Sequence, residues 1–491
     1  MIATFGRIQA PDRFVPALLL LAVLTGLALV FLPESLLLTA TVLALLALPC
    51  LISSRAALFP LLVLAPMRVL IQTEVGPVLP LDIGQVLFLV WLLVWGLHHI
   101  ALRQRLPRLL LPPVVVPLLV FLLVAGISLL NAVSVAAWLR EWLKWMSIVL
   151  VILIVGNSMQ VRAWRWPVRA LLLAGAVNAT VGLYQFFGGS GALHFLVGGR
   201  FFRAFGTFGQ PNPLGGFMAL LLPLALCLLL AGLRRWLRTR CKADLLSLCV
   251  RALPTALLLA GLVASWSRGA WLAFLVAMLV TLLALPRRFV HGLQLAGGVL
   301  LLTALLWSTG VLPASLGERL ASSTEGYLGF DDMRGADINP GNYAVVERLA
   351  HWQAALNMAS ARPWTGVGLG NYEHAYPQHR LIDWPEALGH AHNYWLNQLA
   401  ETGLTGMAAW CFMWLAIVLF TLRARQHPDD EARLVVVGLL GAWTSLAVHS
   451  LFDNLFVNNL FLHVGFLLGV LAVLHRQACE FKSRPVIHIG Q

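Results

Sequence analysis

Along most of this chain apolar residues follow one another without a break. The runs are long enough to cross a hydrocarbon layer, which takes about 17–25 residues. They fall at roughly 14–32, 35–53, 57–73, 83–101, 112–131, 142–160 and 168–188, and again at 213–233, 252–267, 270–286, 290–310, 404–422, 434–452 and 456–474. Because the runs are continuous rather than alternating, they predict helices and not a β-barrel. The expected fold is an all-α polytopic membrane protein with about 14 transmembrane helices, within a range of 12–14. The first run has no small-residue cleavage pattern after it and reads as a retained helix.

Polar residues gather in two longer interruptions, from about Phe187 to Pro213 and from about Gly310 to Gly403. The second is too long for a plain connector. Apolar positions Val346, Leu349, Ala350 and Leu356 predict a helix over Tyr343 to Ala361. A turn-rich stretch, RPWTGVGLGNYEHAYP, follows it. Pro385 to Met407 then packs two histidines, two asparagines, a glutamine and a glutamate into one short run. The expected organisation is N-terminal helices at 1–190, central helices at 191–310, a large loop containing helices at 311–403, and C-terminal helices with a short tail at 404–491.

Composition agrees with a membrane protein. Of the 491 residues, 59% are hydrophobic and 11% charged, where a soluble domain carries about 25% charged. A net charge of +13 by itself suggests nucleic acid. Its distribution says otherwise. Arg55, the group Arg103/Arg105/Arg108, Arg162/Arg165/Arg169, the group from Arg234 to Arg251, Arg287/Arg288 and Arg423/Arg425/Arg433 all fall in alternate loops. That is the positive-inside pattern, with both termini cytoplasmic and the two polar segments outside. No nucleic-acid partner is expected. The six cysteines lie mostly in or beside expected helices and suggest neither a disulfide framework nor a zinc site.

Candidate chemistry lies in the outside segments. Arg200 and Arg203 stand in GGRFFRAFGTFGQPNPLGG, Arg268 in SWSRGAW, and Arg348 on the expected loop helix. Guanidinium groups bind phosphate oxygens bidentately and stay charged in a dry site, so together they suggest an anion site. A single such arginine is as readily a lipid or carboxylate partner. His390 and His392 flank Ala391, and a neutral imidazole can take a proton from an attacking hydroxyl. Two spacings are open. With helix through the whole stretch, His390, Asn393, Asn397 and Glu401 share one polar stripe. With a helix beginning at Asn393, a good N-cap type, both histidines sit in the entering turn. No HExxH or similar spacing occurs, so no metal is expected. GVGLGN at Gly366–Asn371 lacks the Walker lysine and reads as a sharp turn. Trp364, Tyr372, Tyr376, Trp384 and Trp395 suit sugar stacking and an interfacial belt equally. Arg68, within an apolar run, is a buried or snorkelling charge.

The four motifs GRFFRAFGTFGQPNPLGG, SWSRGAW, ERLAHWQAAL…ARPWTGVGLGNY and GHAHNYWLNQLAETGLTG, in that order, resemble the bacterial O-antigen ligase and polysaccharide polymerase superfamily. The resemblance covers about Arg200 to Gly406. It implies a GT-C-like inner-membrane enzyme, metal-independent and inverting, with no cofactor and an active site facing the periplasm. The implied donor is an undecaprenyl-pyrophosphate-linked glycan. The implied acceptor is a lipid A–core sugar for a ligase or another glycan for a polymerase, with membrane lipids as surroundings. By motif, His392 resembles the family's base, with His390 second. Arg200 or Arg203, with Arg268, match the pyrophosphate-holding arginines, and Arg348 and Glu401 match recurrent positions. Transfer to protein hydroxyls and non-enzymatic transport of the same lipid-linked glycans are the rivals. Transport is disfavoured because the polar residues cluster outside rather than at the bilayer midplane.

Overall fold

The computed structural model describes residues 54–70, 82–103, 110–157, 162–189, 191–309, 333–335, 338–339 and 342–483. The expected crossings at 14–32 and 35–53, and the segment 310–332, lie outside the described residues. The rest is almost entirely helical. In order come α1 (Leu58–Leu64), α2 (Ile83–Arg103), α3 (Val115–Ile127), α4 (Val135–Gly156) and α5 (Arg165–Gly188). A small hairpin follows, β1 (Leu196–Val197) paired antiparallel with β2 (Phe201–Phe202). Then come α6 (Pro211–Thr239), α7 (Lys242–Ala264), α8 (Arg268–Ala284) and α9 (Phe289–Ser308). The large loop holds α10 (Tyr343–Ala361) and α11 (Tyr372–His379). The chain closes with α12 (Tyr394–Ala424), α13 (Asp430–His449) and α14 (Leu460–Ser483).

By length and composition, seven of the described helices can cross a membrane: α5, α6, α7, α9, α12, α13 and α14. Shorter apolar helices lie at Leu58–Leu70, Ile83–Leu97, Val115–Asn131 and Arg268–Ala284. The apolar windows of α6, α13 and α14 are 83%, 83% and 89% buried, whereas those of α7 and α9 are 22% and 11% buried. The first three therefore form the centre of the bundle. On α9, Leu300, Leu301, Leu302 and Leu305 are exposed, the apolar outer surface that lipid requires. Close approach at the centre depends on small residues. A Cβ at Gly438 of α13 would stand 2.6 Å from the Leu224 Cα of α6.

Polar contacts sort the helix ends into two sets. At one end, Glu431 bridges Arg165 and Arg251, and Arg234 pairs with Asp430. Arg433 donates to the Leu285 carbonyl and Arg425 to those of Ala284 and Pro286, capping the last turn of α8. At the other end, Asn131 donates to Thr365 and Gly366, and the Ser134 amide donates to Asn371. Arg203 donates to the Ser265 carbonyl there. The loops grouped by charge in the sequence are thus joined in space. Arg68, exposed over about half its side chain, pairs with Asp82, which also accepts from Asn459.

The Glu431 bridge gives a stability prediction. Its removal leaves two half-buried guanidinium groups without their shared carboxylate. Glu431→Ala is expected to cost about 1–3 kcal/mol, below the figure for fully buried pairs because water reaches the site. Thermal unfolding in detergent measures it, and an unchanged midpoint would show the bridge to be energetically neutral.

Candidate functional site

The site is built where α12 begins. Asn393 is the N-cap of α12, and its side chain accepts from the Trp395 and Leu396 amides at 3.1 Å each. The helix therefore starts after the histidines, and of the two spacings the second is observed. His390 and His392 occupy the entering turn, off the Asn397–Glu401 face. The turn is tight: Leu388, Gly389 and His392 all have positive φ, 52° at His392. It places the two imidazoles side by side, ring centres 4.6 Å apart. Asn397 holds the turn from below by accepting the Ala391 amide at 3.1 Å. Asn393→Ala is expected to cost about 1 kcal/mol, the usual worth of an N-cap, read as a lowered unfolding midpoint.

The other wall comes from the turn after α13, a stretch the sequence reading passed over. The Tyr394 amide donates to the Ser450 carbonyl at 2.7 Å, and the Trp395 indole donates to the Ala447 carbonyl. These bonds bring Asp453 to the histidines. Its Oδ1 lies 3.5 Å from His390 Nε2 and 3.9 Å from His392 Nδ1. Burial acts to raise the Asp453 carboxyl, but His390, His392, His449 and Arg348 outweigh it and hold the group below its ordinary range. Arg348 also acts electrostatically on His390, His392 and His449. One buried carboxylate is thus the close partner of two imidazoles, with His449 and Arg348 in its electrostatic surroundings.

Hydrogen bonds distinguish the two histidines. The His392 amide donates to His390 Nδ1 at 3.0 Å. That nitrogen must hold its lone pair, so the proton of neutral His390 sits on Nε2, toward Asp453. In His392 neither ring nitrogen has a hydrogen-bond partner. Burial lowers the pKa of both, with His390 adding to the effect on His392, which falls to about 3.

The arginine motifs meet beside this chamber. Arg203 donates to the Ser265 carbonyl and to Asn212 Oδ1, each at 3.1 Å, and Ser267 donates to the same Asn212 oxygen at 3.0 Å. Two motifs far apart in sequence therefore form one cluster. The Asn212 backbone lies close to the His449 ring. Gly216 leaves room for that ring, since a Cβ there would stand 2.7 Å from His449 Nε2. Arg268 opens α8, and the following Gly269 packs against Phe452, next to Asp453. Arg200 is placed differently. It is exposed on the hairpin with its guanidinium over the Phe201 ring, and none of its described contacts reaches the chamber.

Glu401 and the glycine-rich turn support the site from behind. The Glu401 carboxylate accepts from the Gly370 and Tyr372 amides, and its carbonyl accepts from Gly368. Leu369 donates to Ser128 Oγ. The amides of GVGLGN are committed to protein acceptors, so this is a fastening and not a phosphate cradle. Of the aromatic candidates, Tyr372 and Tyr376 are fully buried and Trp384 nearly so, while Trp364 is exposed. The two tyrosines form a small loop core with Ala354, Met358, Ala391 and Ala400.

Asp453, His449 and His351 were missed. The available signal was HSLFDNLFVNN, where Asp453, Asn454, Asn458 and Asn459 crowd a turn between two apolar runs. Among the described residues, His390, His392 and Asp453 also form a group whose ligand-type atoms lie within 4.8 Å of one another. Three such donors can hold a divalent cation.

Multiple apolar helices mark a multi-pass membrane protein, with a cluster of buried polar side chains at one end of the bundle. Residues 253–411 match the family model described as O-antigen ligase. The match supports membership of the O-antigen ligase and polymerase superfamily of bacterial membrane proteins. It spans Arg268, Arg348, both site histidines and Glu401, and leaves Arg203, His449 and Asp453 outside its bounds. No curated protein matches the chain.

Proposed function

We propose that the protein is an O-antigen ligase-like glycosyltransferase. It moves a glycan from undecaprenyl pyrophosphate to an acceptor hydroxyl, a lipid A–core sugar, at the periplasmic face. The observation that carries this is the pairing of His390 and His392 with buried Asp453, next to the Arg203–Asn212–Ser267 cluster. His392 is the base, because neither of its ring nitrogens is hydrogen-bonded, while His390 accepts a backbone amide on one nitrogen and holds the other closer to Asp453. Asp453 orients the imidazoles and balances the charge that forms on them.

The chemistry balances with these groups alone. The acceptor O–H bond breaks and its proton passes to His392. The freed oxygen pair forms the new bond to the anomeric carbon. The bond from that carbon to the pyrophosphate oxygen breaks on the opposite face, and the electron pair leaves with the diphosphate. Inversion follows. Arg203, Arg268 and Arg348 hold the developing charge, as preorganised donors do in a dry site. Asn393, Asn397 and Glu401 keep the turn and loop in place.

In this reading the end rich in arginine, with Arg165, Arg234, Arg251 and Arg425, faces the cytoplasm. Both termini lie on that side, with 14 crossings overall and the segment 311–403 as a periplasmic loop in the bacterial inner membrane. The description of the matched family favours a ligase. Polymerisation onto a second lipid-linked glycan is distinguished by the product.

The test is reconstitution of the full chain in vesicles with a polyprenyl-pyrophosphate-linked oligosaccharide, offered a lipid A–core acceptor or a second donor molecule. Glycosylated core is expected, and its absence with every acceptor overturns the proposal. Arg268→Ala is expected to lower transfer at least about 100-fold, the effect of removing one transition-state charge donor. EDTA is expected to leave the rate unchanged. A loss restored by added divalent ion would instead make His390, His392 and Asp453 ligands.

A further inference from the structure

A third imidazole stands at the chamber wall. His351, on α10, is 1% exposed. Its ring stacks on Tyr376, centres 4.8 Å apart, and lies 5.6 Å centre to centre from His392 with the ring planes at 76°. The Tyr372 hydroxyl lies 3.1 Å from the His351 carbonyl and 3.0 Å from His351 Nδ1. A carbonyl only accepts, so both contacts are hydrogen bonds when the single tyrosine proton goes to it. Nδ1 must then be the donor to the tyrosine oxygen, and Nε2 carries the lone pair. That Nε2 is buried without a hydrogen-bond partner. An orphaned buried acceptor is costly, and beside it His392 has two ring nitrogens in the same condition.

We propose that His351 is a positioning residue for His392, its Nε2 accepting a hydrogen bond from a ring N–H of His392. This rests on the reading of His392 as the base. A straight N–H···N bond of about 2.9 Å, with each nitrogen about 1.1 Å from its ring centre, sets the centres about 5.1 Å apart. The observed 5.6 Å leaves an approach of about 0.5 Å and a rotation that brings the two nitrogens onto one line. The bond is strongest once His392 has taken the acceptor proton, because hydrogen bonds from charged donors exceed neutral ones. Tyr372 supplies the tautomer: by fixing the Nδ1 proton it keeps the lone pair on Nε2. His351 thus stabilises the imidazolium without touching substrate.

Three variants in reconstituted full-length protein separate this role from packing. His351→Gln keeps an acceptor near the Nε2 position. His351→Asn keeps a polar atom near Nδ1, where Tyr372 binds. His351→Phe keeps only the ring. The expected result is kcat within about threefold of the parent for Gln, and a fall of about 10–100-fold for Asn and Phe, the range for a hydrogen bond to a charged partner. KM for donor and acceptor stays unchanged, and adding His351→Phe to His392→Ala brings no further loss. Asn at parental rate, or Gln as slow as Phe, overturns the proposal and leaves His351 a packing residue. If Phe fails to fold, the Gln–Asn comparison still decides. Full activity of His392→Ala would sink the base assignment instead, a separate outcome.

Discussion

His392→Ala is expected to lower glycan transfer by about 10²–10⁴-fold, the contribution of a positioned general base, while membrane insertion and the unfolding midpoint stay near those of the parent. Its side chain makes no hydrogen bond in the fold, so its removal breaks none of the bonds that hold the turn. Those run through backbone groups and Asn397 instead. His390→Ala is expected to cost less, because His390 acts through the His392 amide and Asp453. Rates measured on equal amounts of inserted protein decide it, and a His392→Ala variant at parental rate would remove the imidazole from the chemistry. The pH dependence has a definite sign. A base acts in its deprotonated form, and the pKa of His392 is lowered by burial to about 3. Lowering the pH from 7 to 5 therefore leaves it competent, and any fall in rate over that window must come from another group. For stability the same shift acts in the other direction. The unfolded chain, with an ordinary histidine pKa near 6.5, takes up a proton as the pH drops below that value and the folded chain does not. The fold accordingly loses stability from about pH 6.5 downward.

Gly403→Val is expected to cost several kcal/mol and to prevent the loop from seating. Gly403 interrupts α12 at φ 65°, ψ −169°, a conformation open in practice only to glycine, where others pay about 1–3 kcal/mol. A Cβ there would also lie 2.5 Å from the Thr365 backbone nitrogen. Gly366, on the facing strand of chain, has the reciprocal problem against Glu401 and Thr402. The two backbones touch because Val367 and Gly368 donate to the Ala400 and Glu401 carbonyls, and Leu404 donates to Pro363. Any side chain at position 403 separates them and releases the Glu401 fastening. Size-exclusion profiles and thermal unfolding in detergent read this out, and a monodisperse variant with the parental midpoint would show that the contact yields easily.

Both effects trace back to what was and was not legible along the chain. The loop helix was readable to its ends, Tyr343 to Ala361, because buried Val346, Leu349 and Ala350 repeat at the helical period. The start of α12 was readable only as a pair of alternatives. Asn393 suits both a helical stripe and an N-cap, and the choice depends on whether His390 and His392 can take a left-handed turn against Asn397. Arg203 and Arg268 were candidates by type, but nothing local says that Asn212 joins their motifs. Arg200 looked equivalent to Arg203, three residues away, yet it sits in the hairpin turn itself with its guanidinium over Phe201.

Apolar run length, charge placement and the 3.6-residue period by themselves determined that this is a helical membrane protein, which of its loops share a side, and where its polar chemistry is concentrated. These are properties of a segment and its solvent, and each segment declares them alone. Only the tertiary structure decided that Asp453 and His449 complete the chamber, that Glu401 ties down backbone instead of facing it, and that His351 leans on His392. Those facts depend on close approach between parts of the chain tens to hundreds of residues apart, set by glycine contacts and buried hydrogen bonds that no single stretch contains.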